Sequence, residues 1–188
     1  MHEPTRVNIQ LEWTPNPSSL KYVVDRRLIP SGAVNFTSLE ATRGKSPLAE
    51  KLFAIEGVAG VMIGNSFVTV TKGEAGEWDA LNEAVTQTLE EHLSSNQPAV
   101  IAEAVATRPV EGESEVERQI REILDAEIRP AVMNDGGDIM LDRFENGVVY
   151  LHMRGSCSGC PSSLMTLKMG IEQRLRETIP QVSEVVPV

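Results

Sequence analysis

SSNQPAVIAEAVATRPVEGES, residues 94–114, divides this chain of 188 residues into two readable halves. The stretch carries Ser, Pro, Ala, Gly and Glu but no aromatic residue, and strongly periodic sequence lies on both sides of it. That composition reads as a semi-flexible linker. PAVIAEAVA within it has helical character, so part of it can pack on a neighbour. The division gives a first domain over residues 1–93, a linker over 94–113 and a second domain over 114–188. Both halves mix strands and helices, so the expected fold class is α+β in two small domains, with no internal repeat.

Towards the N-terminus, Val7, Ile9, Leu11 and Trp13 alternate with polar residues at the period of a half-buried strand. Two prolines in TPNPSS break it. Ser18 or Ser19 can cap a helix to about Leu28, with Leu20, Val23, Val24 and Leu28 inward. AVNFTS reads as a strand, and Ser46-Pro47 as a cap with proline at the first helical position. VAGVMI and SFVTVT flank Gly64-Asn65, read as a hairpin turn. EWDALNEAVTQTLEEHL closes the domain as a helix striped by Trp78, Leu81, Val85 and Leu89. The expected order is βαβαββα on a mixed or antiparallel sheet. This half has no cysteine and no close His/carboxylate cluster, and it shows no chemistry.

Towards the C-terminus, Ser114 and Glu117 have the spacing of a capping box, followed by Val116, Ile120, Ile123, Leu124 and Ile128 at helical period. Pro130 ends or kinks that helix. DIMLDRFE and VVYLHMR bracket Asn146-Gly147, a strong hairpin signal. PSSLMTLKMGIEQRLRET reads as a helix with Leu164, Leu167, Ile171 and Leu175 inward, and QVSEVVPV as an edge strand. The expected order is αββαβ.

Composition narrows the function classes. The net charge is −10 and the pI about 4.8, so the chain is repelled by phosphates and nucleic acid is not its expected partner. Anionic membrane surfaces are disfavoured for the same reason, and no apolar run is long enough to span a bilayer. The start, MHEPTRVNIQ, has neither a secretion signal's apolar stretch nor an organelle leader's Arg/Ser-rich character. The expectation is a soluble protein of a reducing, cytoplasmic compartment.

The chemistry lies in GSCSGCPSS, residues 155–163, which holds both cysteines of the chain, Cys157 and Cys160. The motif falls between a strand and a helix, in a Gly/Ser loop expected near the surface. Helix N–H groups and the helix dipole there favour thiolate, the form that binds metal or attacks disulfides. A redox dithiol would be expected near a βαβ unit, early in its domain. Here a local hairpin precedes the motif at the chain's C-terminal end. Zinc and iron–sulfur clusters both commonly take four protein ligands, and one chain supplies two thiolates. His152 reads as an ordinary strand histidine, and His2 and His92 show no ligand spacing. A second chain across a two-fold axis supplies the missing pair. A thiol–disulfide oxidoreductase and a zinc-bridged structural dimer stay open as alternatives. No Ser/His/Asp array, phosphate-cradling loop or paired-carboxylate site stands out, so enzyme catalysis is not expected. Asp135-Gly136-Gly137-Asp138 reads as a glycine turn from helix to strand, Lys168 as a solvated lysine, and Met165 and Met169 as packing residues.

IRPAVMNDGGDIML followed by GSCSGCPSSLMTLKMGIEQRL resembles the C-terminal domain of NifU-like proteins of the Nfu type. TPNPSSLKY, SPLAEKLFAIEGVAGVMIG and FVTVTK likewise resemble the Nfu N-terminal domain. The resemblance implies an iron–sulfur cluster scaffold or carrier, not an enzyme. It further implies a 4Fe-4S cluster held by Cys157 and Cys160 of two subunits; a 2Fe-2S cluster would use the same four thiolates. The implied partners are a second copy of the chain, upstream assembly proteins and apo-proteins that receive the cluster.

Overall fold

A computed structural model describes residues 7–105, 112–159 and 161–188, without the side chains of 105 and 161–163. The chain forms two compact units, Met1–Thr107 and Arg108–Val188, each with its own apolar core. Together they make the α+β class expected.

The first unit is a five-stranded antiparallel sheet covered by helices. Its elements run β1 (Ile9–Trp13), β2 (Ser19–Val24), β3 (Ala33–Phe36), α1 (Leu39–Thr42), α2 (Pro47–Phe53), β4 (Val58–Gly64), β5 (Phe67–Lys72), α3 (Trp78–Ser94) and α4 (Ala102–Val105). The strands lie in the order β1-β2-β5-β4-β3. The order is therefore βββααββαα, and the helix expected from Ser18 to Leu28 is instead strand β2. Leu20, Tyr22 and Val24 alternate onto the core face, opposite Val70 and Val68 of β5 and Trp13, Leu11 and Ile9 of β1. Two β-branched valines and a tyrosine suit that pleated setting better than a helix. Lys21, on the other face, holds its ammonium 5.1 Å from the centre of the Phe67 ring and 2.8 Å from Glu12 on β1.

Local signals in this unit behave as their chemistry requires. Ser46 Oγ accepts the Ala49 N–H at 3.0 Å and starts α2, with Pro47 at its first turn. The β4–β5 turn falls one residue later than expected, on Asn65 and Ser66, and the Phe67 ring lies over Gly64. A Cβ at Gly64 would sit 2.2 Å from that ring. The alternation of β1 is as read, but its cover is partial: Ile9 packs on the core, whereas Leu11 and Trp13 are exposed. Within the stretch 94–113, Ala99 and Val100 are buried in this core, and Ser46 Oγ donates to the Ala99 carbonyl at 2.6 Å.

The second unit follows the order αββαβ. Ser114 and Glu117 form the reciprocal capping box and open α5 (Glu115–Ile123). One wide π turn, Leu124–Ile128, leads into α6 (Arg129–Asn134). Pro130 has no N–H for the carbonyl four residues earlier, and the Arg129 N–H reaches back five residues to Leu124. The proline thus kinks the helix without ending it. Strands β6 (Gly137–Glu145) and β7 (Val148–Gly155) pair antiparallel through Asn146-Gly147, both at positive φ, the left-handed pair a tight hairpin needs. Helix α7 (Pro161–Thr178) crosses back, and β8 (Glu184–Pro187) pairs parallel to β7 at the sheet edge. Ile120, Leu124, Ile139, Leu151, Ile171 and Leu175 close the core between helices and sheet.

Candidate cluster-binding loop

Three segments converge where β6 begins and β7 ends. Gly137, the first residue of β6, pairs with Gly155, the last of β7. The four residues after Gly155 turn sharply towards α7, with Gly155 and Gly159 both in the left-handed region. Backbone and side chain both tie this turn down. The Ser156 N–H donates to the Gly136 carbonyl at 3.1 Å, and Ser156 Oγ donates to the Asp135 carbonyl at 2.6 Å. The Cys157 N–H donates to Arg154 at 3.3 Å and the Ser158 N–H to Gly155 at 3.1 Å.

Cys157 does not lie at the surface as expected. It is 8% exposed and belongs to the second unit's apolar core. Its sulfur rests over the α-carbon of Gly137, where an added Cβ would stand 2.3 Å from Sγ. The same Cβ would stand 3.2 Å from the Cys157 nitrogen and 3.2 Å from Ser156 Oγ. The second glycine of Asp135-Gly136-Gly137-Asp138 therefore makes room for a cysteine, while Gly136, at positive φ, turns the chain out of α6. Cys160 lies outside the described residues.

Asp138 is fully buried and holds a two-point ion pair with Arg129, Oδ1 to Nε at 2.8 Å and Oδ2 to Nη2 at 3.1 Å. Arg129 Nη1 also reaches Asp125 at 2.9 Å. Burial pulls the guanidinium's pKa down, but the hydrogen bonds and negative charges of Asp138 and Asp125 outweigh it and hold Arg129 above the ordinary arginine range. The pair locks α6 to β6 one residue from the glycine under Cys157. Sequence reasoning missed it. The only available signal was a carboxylate between glycine and isoleucine at a strand start, with an arginine nine residues earlier.

The other candidates fall elsewhere. His152 faces away from the core on β7, its Nε2 3.1 Å from Asp142 Oδ1 and its Nδ1 3.3 Å from the Val188 carbonyl. Leu151 beside it points into the core that contains Cys157, so the histidine and the cysteine serve opposite faces. His92 is buried in the first unit with Nε2 3.3 Å from the Pro98 carbonyl; burial, then the Lys51 charge, lowers its pKa. His2 lies outside the described residues. Lys168 is paired with Glu184 at 3.3 Å. Met165 and Met169, expected to pack, are exposed. Among the described residues no three His, Cys, Asp or Glu side chains gather to hold a metal ion.

Two family descriptions match the chain: a NifU-like domain over residues 120–186, and the N-terminal region of Nfu/NifU scaffold proteins over 9–96. A Homo sapiens protein named NFU1 iron-sulfur cluster scaffold homolog, mitochondrial, is 41% identical over 182 residues, covering 96% of this chain and 71% of that one. Its Drosophila willistoni namesake is 41% identical over 184 residues, covering 96% of this chain and 63% of its own length. NifU-like protein 4, mitochondrial, of Arabidopsis thaliana is 42% identical over 183 residues, covering 94% and 64%. The chain thus spans less than two thirds of the length of two of these three relatives. A solution structure of a NifU-like protein from Saccharomyces cerevisiae matches with a TM-score of 0.49 at 22% identity, covering 54% of this chain and 91% of that one. The relatives are named as mitochondrial, which overturns the cytoplasmic location expected from the sequence.

Proposed function

The chain belongs to the Nfu type of NifU-like proteins, and on that premise we propose that it is a non-enzymatic iron–sulfur cluster scaffold and carrier. Its cargo is a 4Fe-4S cluster held by Cys157 and Cys160 of two copies and passed to apo-proteins. Its setting is that of its relatives, the mitochondrion. The observation that carries the reading is the cradle at Gly137: the turn after β7 is built around the Cys157 sulfur, with two glycines and two Ser156 hydrogen bonds fixing its shape. A structural zinc site is closed by four protein ligands. This one brings the donors of a half-site, and a shared cluster can leave when the copies part.

Loading makes a demand on this loop. With Sγ against Gly137 the thiol is shielded, so taking up a cluster turns it outward from the loop. Acceptor thiolates can then displace the loop's sulfurs one at a time.

Iron and association are then linked. Anaerobic reconstitution should give a dimer with about two irons per chain, half of a shared four-iron cluster, and cluster-free protein should be largely monomeric. Cys157→Ala or Cys160→Ala should lose both cluster and dimer. Holo-protein mixed with a cluster-requiring apo-enzyme should restore activity even with an iron chelator present. Restoration that the chelator abolishes would put the iron in free solution and end the carrier reading. One zinc per two chains, with no sulfide, would support the structural alternative instead.

We also propose that the two units are separately folding domains, since each has its own core. Limited digestion with a glutamate-specific protease should cut first after Glu111, near the division between units. First cuts within α3 or α7 would refute it.

A further inference from the structure

One stripe of α7 is left uncovered by its own unit. Ile171 and Leu175 are buried and Leu167 packs against the core, while Met165 and Met169 are 63% and 65% exposed. Four residues apart, the two methionines are neighbours on one helix face. Thr166 and Gly170 beside them are exposed as well. From Leu164 to Ile171 the sequence has a single charge, Lys168, and Glu184 holds it at 3.3 Å. One turn on, Glu172 and Arg176 neutralise each other at 3.1 Å. Gly170 stands inside an 18-residue helix, and a Cβ there would meet nothing within 4 Å. Glycine weakens a helix interior relative to alanine, and no described contact in the chain requires it at this position.

We propose that this stripe seats a second copy of the same helix. Two protruding methionines and a glycine depression lie on one face whose nearest charges, Lys168, Glu172 and Arg176, are all paired, so the face complements itself. Across a two-fold axis, the methionines of each chain fill the depression at Gly170 of the other, as an isologous contact requires. The missing side chain lets the two helices approach closely, and methionine adapts to the gap. The placement fits the cargo. Met165 lies about 6 Å along α7 from Pro161, where the helix follows the cysteine loop, so chains meeting loop to loop bring these turns together. The inference rests on the reading that two copies share the cluster.

Gly170→Ala separates the contact from simple folding effects, because it should act in opposite directions on the two. The cluster-free variant should melt about 4 °C higher, from the better helix former. The reconstituted variant should dimerise about tenfold more weakly, the loss expected when a close helix contact is spoiled. Met165→Ser with Met169→Ser should also weaken the dimer about tenfold or more, from lost apolar burial. Sedimentation of anaerobic wild-type and variant proteins, with iron and sulfide content, reads all of these. Variants that keep the cluster and dimerise within about twofold of wild type would overturn the proposed contact and leave the shared cluster standing. The same result with slower delivery to an apo-acceptor would also overturn it, and assign the stripe to the acceptor. Wild-type holo-protein that stays monomeric would overturn both.

Discussion

Arg129→Ala is expected to cost the second unit about 3–5 kcal/mol, because it leaves the Asp138 carboxylate buried without its partner. Asp138 is fully buried, and both of its oxygens are bound by the Arg129 guanidinium. A loss of that size is a large share of the ~5–15 kcal/mol that holds a whole domain together. The variant should unfold its second unit at far lower denaturant, while the first unit, with a separate core, keeps its transition. The paired change Arg129→Met with Asp138→Leu should recover most of the loss, since apolar replacement of a buried ion pair is often near neutral. Urea titration followed by circular dichroism checks both. A single variant within about 1 kcal/mol of wild type would show that water reaches Asp138 in solution. A double variant as unstable as the single one would show that the cost comes from repacking and not from the stranded charge.

The parts of the fold legible in the sequence are those decided within a few residues. Asn146-Gly147 needs only its own left-handed backbone to make a hairpin, and Ser114 with Glu117 caps α5 across three residues. Ser19–Val24 was ambiguous because two periods fit it. Leu20, Val23 and Val24 share a helix face, while Leu20, Tyr22 and Val24 share a strand face. Only β1 and β5, which hydrogen-bond to either side of this segment, select the second. Those partners are distant in sequence, so the local pattern could not choose between them. Met165 and Met169 mislead differently. They fall at helical spacing, but Leu167, Ile171 and Leu175 already supply the face turned to the core, and the methionines are left outside.

The cysteine motif was legible because its spacing is itself the signal, but its surroundings were not. Ser156 to Asp135 and Cys157 to Gly137 are contacts across twenty or so residues, made only when β6 and β7 pair. Glycine repetition in the sequence shows that the backbone must turn or come close, without showing what approaches it. At Gly136 the answer is a left-handed turn, and at Gly137 it is a sulfur.

Gly137→Ala should therefore damage the site more than Gly159→Ala does. The added Cβ would stand 2.3 Å from Cys157 Sγ, a separation no pair of such atoms tolerates. The sulfur alone could swing aside. The Cys157 nitrogen and Ser156 Oγ, each 3.2 Å away, cannot do so as cheaply, because hydrogen bonds to Arg154 and Asp135 hold them. The turn must shift as a whole, or the Gly137–Gly155 end of the ladder must open. Overpacking of this kind costs about 1–3 kcal/mol. Because the displaced groups include the cysteine itself, cluster binding should suffer more than folding. The expected result is a second unit that still folds at 25 °C but takes up less than about half the wild-type iron on anaerobic reconstitution. Gly159→Ala is the comparison inside the same turn: no described atom lies within 4 Å of its Cβ, so it adds left-handed backbone strain, about 1–2 kcal/mol, without touching Cys157. If the two variants lose similar stability and only Gly137→Ala loses iron, the cradle under Cys157 sets the loop's competence for its cargo. Equal iron in Gly137→Ala and wild type would show that the shape of the turn held over Gly137 does not govern loading.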